Sequence, residues 1–136
     1  MLQYVRFVCI LFCASSAFAT DNSLNITYVE PKTEIRNLIW EKRPVLVFSN
    51  SHLDPNLKQQ IKMFDSDPNA LISRDVQVFV DDTPEPKSNL RKRFRPKGFL
   101  IILIGKDGQI KLRKNTPWSA REITRVIDKG LSLIHI

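Results

Sequence analysis

Past residue 13 this 136-residue sequence has no cysteine, since Cys9 and Cys13 are its only two. Everything downstream therefore lacks disulfides, thiol nucleophiles and cysteine-ligated zinc. Histidine is scarce as well: His52 follows an apolar run, and His135 sits in the terminal LSLIHI tail. The Gly-x-Ser-x-Gly pattern that raises a hydrolase nucleophile on a strand-to-helix turn is absent. No repeat, low-complexity tract or long linker interrupts the chain, so the sequence predicts a single domain.

The opening MLQYVRFVCILFCASSAFATDN places Arg6 before a short apolar run, and Ala17-Phe18-Ala19 supplies a small-x-small cleavage pattern. The run is too short for a stable membrane span. Residues 1–19 read as a secretory signal cleaved after Ala19, with an uncleaved anchor as the alternative. Lipid attachment at Cys13 is disfavoured, because Phe12 stands where a small residue is needed. Cleavage would leave Thr20–Ile136, 117 residues without a thiol or a transmembrane helix, in the periplasm or outside the cell. A domain of that size buries roughly two-thirds of its unfolded surface and needs no covalent staples. Within it, residues 20–37 form a polar lead-in and 38–132 the folded domain.

Charge is unevenly spread. From Lys87 to Lys129 there are thirteen Lys and Arg against three acids, a balance of +10, whereas residues 20–86 carry −4. KSNLRKRFRPK is the densest basic cluster. A basic face attracts an anionic partner; the competing reading is a solvated helix face. Nucleic acid is excluded as a partner by the predicted export and by the lack of base-stacking aromatics among these charges.

The elements read in order. Ile26 to Val29 suits a short strand, and Lys32 to Glu41 a helix with Ile35, Leu38 and Ile39 on one face. Pro44 enforces extended backbone ahead of a strand at Val45 to Phe48. Asp54-Pro55 starts a helix, with Leu57, Ile61 and Phe64 facing the core. Val76, Val78 and Val80 mark the next strand, and Lys87 to Phe94 a short basic helix with Leu90 and Phe94 inward. Phe99 to Ile104 is an unbroken apolar run, which suits a strand buried on both faces. Asp107-Gly108 signals a two-residue hairpin turn into Gln109 to Arg113. Ser119 and Glu122 then form a capping box, Ile123, Val126 and Ile127 an apolar face, and Gly130 the helix end. This βαβα–ββα order predicts an α/β, thioredoxin-like three-layer sandwich with a mixed sheet of four to five strands, a C-terminal β-hairpin and a final helix.

With the elements placed, the chain resembles the bacterial branch of the cysteine-less thioredoxin-like DUDES domain, a domain of unknown function with relatives in animal extracellular sushi-repeat proteins. The resemblance spans about Leu38 to Asp128. It rests on Trp40, Arg43, Gln60, Arg74-Asp75-Val76, Arg93-Phe94, Phe99, Leu103 to Gly108, Lys111-Leu112-Arg113 and Ile127-Asp128. It implies the fold and export, and it implies no activity.

In redox proteins of this fold the nucleophilic cysteine occupies the elbow after the first long strand, where a helix N-terminus lowers its pKa. Here Ser49, Asn50, Ser51, His52 and Asp54 fill that place. A cis-proline normally stands just before the central strand; Lys97 to Ile104 contain none, and Pro96 lies too early. Ser49, Ser51, His52 and Asp54 include hydrolase residue types, but a triad brings its histidine from a separate loop. Asp81-Asp82 with His52 could approach a cation, although the acidic stretch reads equally as a turn. No catalytic residue, cofactor or metal is assigned. Candidate functional residues are the elbow set Ser49, Ser51, His52 and Asp54, and the anion-binding set Arg91, Lys92, Arg95, Lys106, Lys111 and Arg113, with Lys111 and Arg113 sharing one strand face. The function expected is an exported, non-catalytic module binding an envelope protein or an anionic glycan or lipid. The alternative is an enzyme that uses the elbow or a bound metal.

Overall fold

The computed structural model describes residues 23–133, with side-chain surroundings as far as residue 131. The predicted signal, with Cys9, Cys13 and the cleavage point, and His135 lie outside the described residues. The elements are β1 (Ile26–Tyr28), β2 (Arg43–Phe48), α1 (Pro55–Ser66), α2 (Pro68–Ile72), β3 (Val76–Asp81), α3 (Asn89–Phe94), β4 (Leu100–Ile104), β5 (Ile110–Lys114) and α4 (Ala120–Leu133). They form one mixed sheet of order β1-β3-β2-β4-β5. β1, β3 and β2 run parallel, and β4 is antiparallel to both β2 and β5.

Strand alternation splits the core in two. Val45, Val47, Val78, Val80, Ile101 and Leu103 pack under Leu57 and Phe64 of α1, Leu71 of α2 and Ile123 and Ile127 of α4. Leu46, Phe48, Phe79, Ile102 and Ile104 face the other way, onto Leu90 and Phe94 of α3 and onto Ile35. β4 is buried along its whole length, as its unbroken apolar run requires. Among the described residues no helix is long and apolar enough to cross a membrane.

Helix starts follow their caps. Asp54 Oδ1 accepts the Asn56 N–H at 2.9 Å, and Ser119 Oγ accepts the Glu122 N–H at 3.2 Å. Asp67-Pro68 repeats the Asp54-Pro55 pattern and starts α2, an element the sequence reading did not include.

Four expectations are corrected. The helix expected over Lys32 to Glu41 is a single 3-10 turn, Arg36–Leu38. Trp40 turns to φ +70° and gives its N–H to Lys106 O at 2.7 Å, so a tertiary bond ends the turn and leaves Ile39 exposed. Gly130 does not close α4, which continues to Leu133. The hairpin loop has three residues, Lys106-Asp107-Gly108, closed by Gly108 N–H to Gly105 O at 3.0 Å and Gly105 N–H to Gln109 O at 2.9 Å. Only Gly108 in that loop takes a positive φ, +80°, which fits a turn followed by a left-handed bulge residue.

The fourth correction follows from the bulge. Ile104 pairs with Ile110 but Leu103 with Leu112, so Lys111 is the extra residue. Lys111 bends over Gly105 to Asp107 and lies beside α4, whereas Arg113 Nη2 donates to Phe94 O of α3 at 2.8 Å. The two bases therefore do not share a face.

Candidate functional site

β2 delivers the chain to the elbow, and hydrogen bonds consume the elbow's polar groups. Ser49 is fully buried, and its N–H donates to Asp81 O at 2.8 Å. Its Oγ lies 2.7 Å from Ser51 O and 2.9 Å from Asp54 Oδ2, and it accepts the Ser51 N–H at 3.3 Å. Ser51 Oγ accepts the Leu53 N–H at 3.1 Å. The serines thus shape a loop at the start of α1. His52 is exposed, and none of these bonds reaches it.

The acidic end of β3 is equally committed. Asp81 is buried, and its Oδ1 accepts Arg91 Nη2 at 3.0 Å and the Thr83 N–H at 3.2 Å. Its Oδ2 accepts the Ser88 hydroxyl, and Ser88 Oγ in turn caps α3 at the Arg91 N–H, 3.0 Å away. Among the described residues no group of three or more His, Cys, Asp or Glu is placed to hold a metal ion.

The basic set divides. Arg91 is buried: Nη2 also donates to Ser49 O at 2.8 Å and to Asp81 O at 3.1 Å, while its Nε is buried without an acceptor. It belongs to the frame rather than to an exposed basic face. Lys92 and Arg95 remain exposed, and with Asn50 of the elbow, Glu85, Lys87 and the inner Arg91 they line a cleft of about 490 Å³. Arg95 closes α3 in the left-handed region, φ +50°, and stands between this cleft and a neighbouring depression that Lys97 and Arg113 line. Elbow and basic cluster, separate in sequence, thus meet at one end of the sheet. Asn50 of the elbow stretch and Lys87 of the KSNLRKRFRPK cluster stand there together, and the folding of one toward the other leaves no local sequence pattern.

Lys106 and Lys111 lie at the opposite end, each with its own carboxylate. Lys106 Nζ is 2.7 Å from Asp75 Oδ2, and Lys111 Nζ is 2.9 Å from Asp107 Oδ2. Hydrogen bonds from these ammonium groups hold Asp75 and Asp107 below the usual carboxylate range. Arg74 grips Asp128 through Nε and Nη2, both at 2.9 Å, which lowers the carboxyl and raises the guanidinium. Gln60, fully buried, donates Nε2 to Trp118 O at 2.7 Å and accepts the Trp118 N–H at 2.8 Å, tying α1 to the start of α4.

The pattern of the domain of unknown function DUF4174 matches residues 34–132. Among solved structures, the chain is similar to chloroplastic thioredoxin z, with TM-score 0.59 and 14% identity over 78% of this chain and 94% of that one. It is similar to the reduced 2-Cys peroxiredoxin of Plasmodium vivax, with TM-score 0.61 and 14% identity over 76% and 86%. StoA from Bacillus subtilis gives TM-score 0.51 and 17% identity over 63% and 82%. At these identities the likeness establishes the thioredoxin-like fold. The comparison with curated proteins gives no significant match.

Proposed function

This chain belongs to the DUF4174 family of domains of unknown function, and from that membership we propose that it is an exported, non-catalytic binding module on a thioredoxin-like frame. In this reading residues 1–19 are removed, residues 38–132 form the working domain, and the chain stands with the bacterial branch of the DUDES-type domains it resembles. Its partner is an anionic group of the cell envelope, a glycan or a lipid headgroup, taken in the cleft beside the elbow.

One observation carries the reading. Where redox relatives expose a thiol, Ser49 is buried with its hydroxyl spent inside the loop, and beside it exposed Lys87, Lys92 and Arg95 face the single carboxylate of Glu85. The elbow is thus built to hold shape and present charge. The rival enzyme reading has less support: Ser49 is buried and its neighbouring carboxylate Asp54 caps α1, His52 lies outside the network, and Asp81 is engaged by Arg91, Ser88 and Thr83.

The test is binding of lipopolysaccharide or of an acidic glycan to the mature protein across a salt series. Affinity should fall steeply with salt, because exposed charges are screened over about 8 Å at physiological ionic strength. The Lys87→Gln, Lys92→Gln, Arg95→Gln triple variant should keep its melting temperature and lose binding. No binding at low salt, or equal binding by the triple variant, overturns the proposal. N-terminal sequencing of the exported protein should begin at Thr20.

A further inference from the structure

A cavity of about 320 Å³ lies between the β4–β5 loop and the last turns of α4, at the end of the sheet away from the elbow. Leu103, Val126, Ile127 and Leu131 make its apolar wall, Trp40 flanks it, and Arg43, Lys106 and Lys111 supply its cations. Its size is at the lower limit for a small-molecule pocket, and its chemistry, an apolar wall with few polar groups, is typical of one.

Three features set it apart from an incidental crevice. Trp40 is 73% exposed yet held at φ +70°, a region that bulky residues avoid. The bond from its N–H to Lys106 O, 2.7 Å, fixes it there. The fold thus places an indole at the cavity mouth without burying it, and strain of this kind clusters at ligand clamps. Next, Gly130 lies inside a helix, where glycine weakens the element, and a Cβ added there would meet no atom within 4 Å. Gly130 lines the cavity and is itself exposed, so a side chain there has open room at the cavity rim.

Third, the charges can be counted. Lys106 is paired with Asp75, Lys111 with Asp107, and Asp128 with Arg74. Arg43 forms no ion pair among the described residues, and its Nη1 is fixed on Arg74 O at 2.6 Å. The wall therefore carries one cation without a carboxylate at ion-pair distance, Asp75 and Asp128 attracting it only from farther away, beside an apolar surface.

We propose that this cavity binds a small apolar monocarboxylate, its tail against Trp40, Val126, Ile127 and Leu131 and its carboxylate toward Arg43. A dianion such as a phosphate monoester would need a second free cation, which pairing with Asp75 and Asp107 removes. The site is independent of the basic cleft at the elbow.

Sodium decanoate, below its micelle concentration, is the aliphatic probe, and indole-3-acetate the aromatic one. The two indole N–H resonances of the isotope-labelled mature protein report binding. Trp40 should shift saturably and Trp118 should not. 1-Decanol should bind more weakly by about tenfold or more, and decyltrimethylammonium not at all. Gly130→Leu should fill the cavity, keep or raise the melting temperature, and weaken binding by about tenfold or more. Should Gly130→Leu fail to fold, Gly130→Ala narrows the same wall while favouring helix. Arg43→Gln should weaken decanoate and leave decanol unchanged. Absence of a saturable Trp40 shift with either probe overturns the site, as does equal binding by a folded Gly130 variant. Equal affinity for decanol and decanoate overturns the role of Arg43.

Discussion

Arg91 of α3 and Asp81 of β3 form an ion pair at 3.0 Å, with side chains only 5% and 3% exposed. The same guanidinium reaches Ser49 O and lies 5.7 Å from the centre of the Phe48 ring. A base from the densest basic stretch of the sequence thus joins the elbow, the end of β3 and α3. Buried pairs of this kind add little over a packed apolar pair, but removing one partner strands the other charge.

Arg91→Gln should therefore destabilise the protein by about 3–5 kcal/mol in urea denaturation. Lys92→Gln, one residue away and exposed, should stay within about 0.5 kcal/mol of wild type. A loss below about 1 kcal/mol for Arg91→Gln would mean that water replaces the pair.

Gly108→Val should cost about 1 kcal/mol or more, since a branched side chain resists the φ of +80° found there. Its Cβ would also come 3.4 Å from Ile39 Cδ1. Gly108→Asn should cost less, because asparagine tolerates the left-handed region. Equal losses would assign the cost to contact with Ile39 rather than to backbone conformation.

Gln60→Leu keeps the volume in α1 but removes both bonds to the Trp118 backbone. Two part-buried backbone groups then lose their partners, and the expected loss is about 1 kcal/mol or more. Hydrogen exchange should speed up first at Trp118 and the start of α4. Unchanged protection there would show that Gln60 acts through packing alone.

The pH dependence follows from three carboxyls. Hydrogen bonds from Lys106, Lys111 and Arg74 hold Asp75, Asp107 and Asp128 below their ordinary values in the folded protein. Their contribution is complete above the unfolded value of about 3.9 and is lost as pH falls through the depressed folded values. Urea stability should decline below about pH 4, weakly and with salt sensitivity, since these groups are solvent-exposed. Asp75→Asn, well suited to φ +57°, should flatten that acid limb. An unchanged acid limb would separate Asp75 from the response.

Much of the frame was legible. The valine alternation of β3, the apolar run of β4, the Asp54-Pro55 start and the Ser119 cap act over a few residues, so local chemistry decides them. What escaped is decided at a distance. Trp40 bends left-handed for a carbonyl on the β4–β5 loop. Arg91 is buried because Asp81, read as part of an acidic turn, waits beneath it. Gly130 looked like a helix end, but α4, anchored to the sheet earlier by Ile123 and Ile127, runs past it to Leu133. Lys111 and Arg113 were separated by one bulged residue that alternation could not anticipate. The elbow was located correctly from its strand and its cap, whereas the cleft needed α3 folded back beside Asn50.

The bulge at Lys111 also shapes one margin of the sheet. A sheet invites sideways growth wherever a long, flat margin leaves backbone groups free to pair with another chain. Here one margin, β1, is only three residues long. The other, β5, is kinked by the bulge and carries exposed Lys111, Arg113 and Lys114. Two β5 margins brought together would stack like charges against a mismatched ladder. Strand addition is thus disfavoured at β5 by the bulge and its like charges, and at β1 by the shortness of the strand.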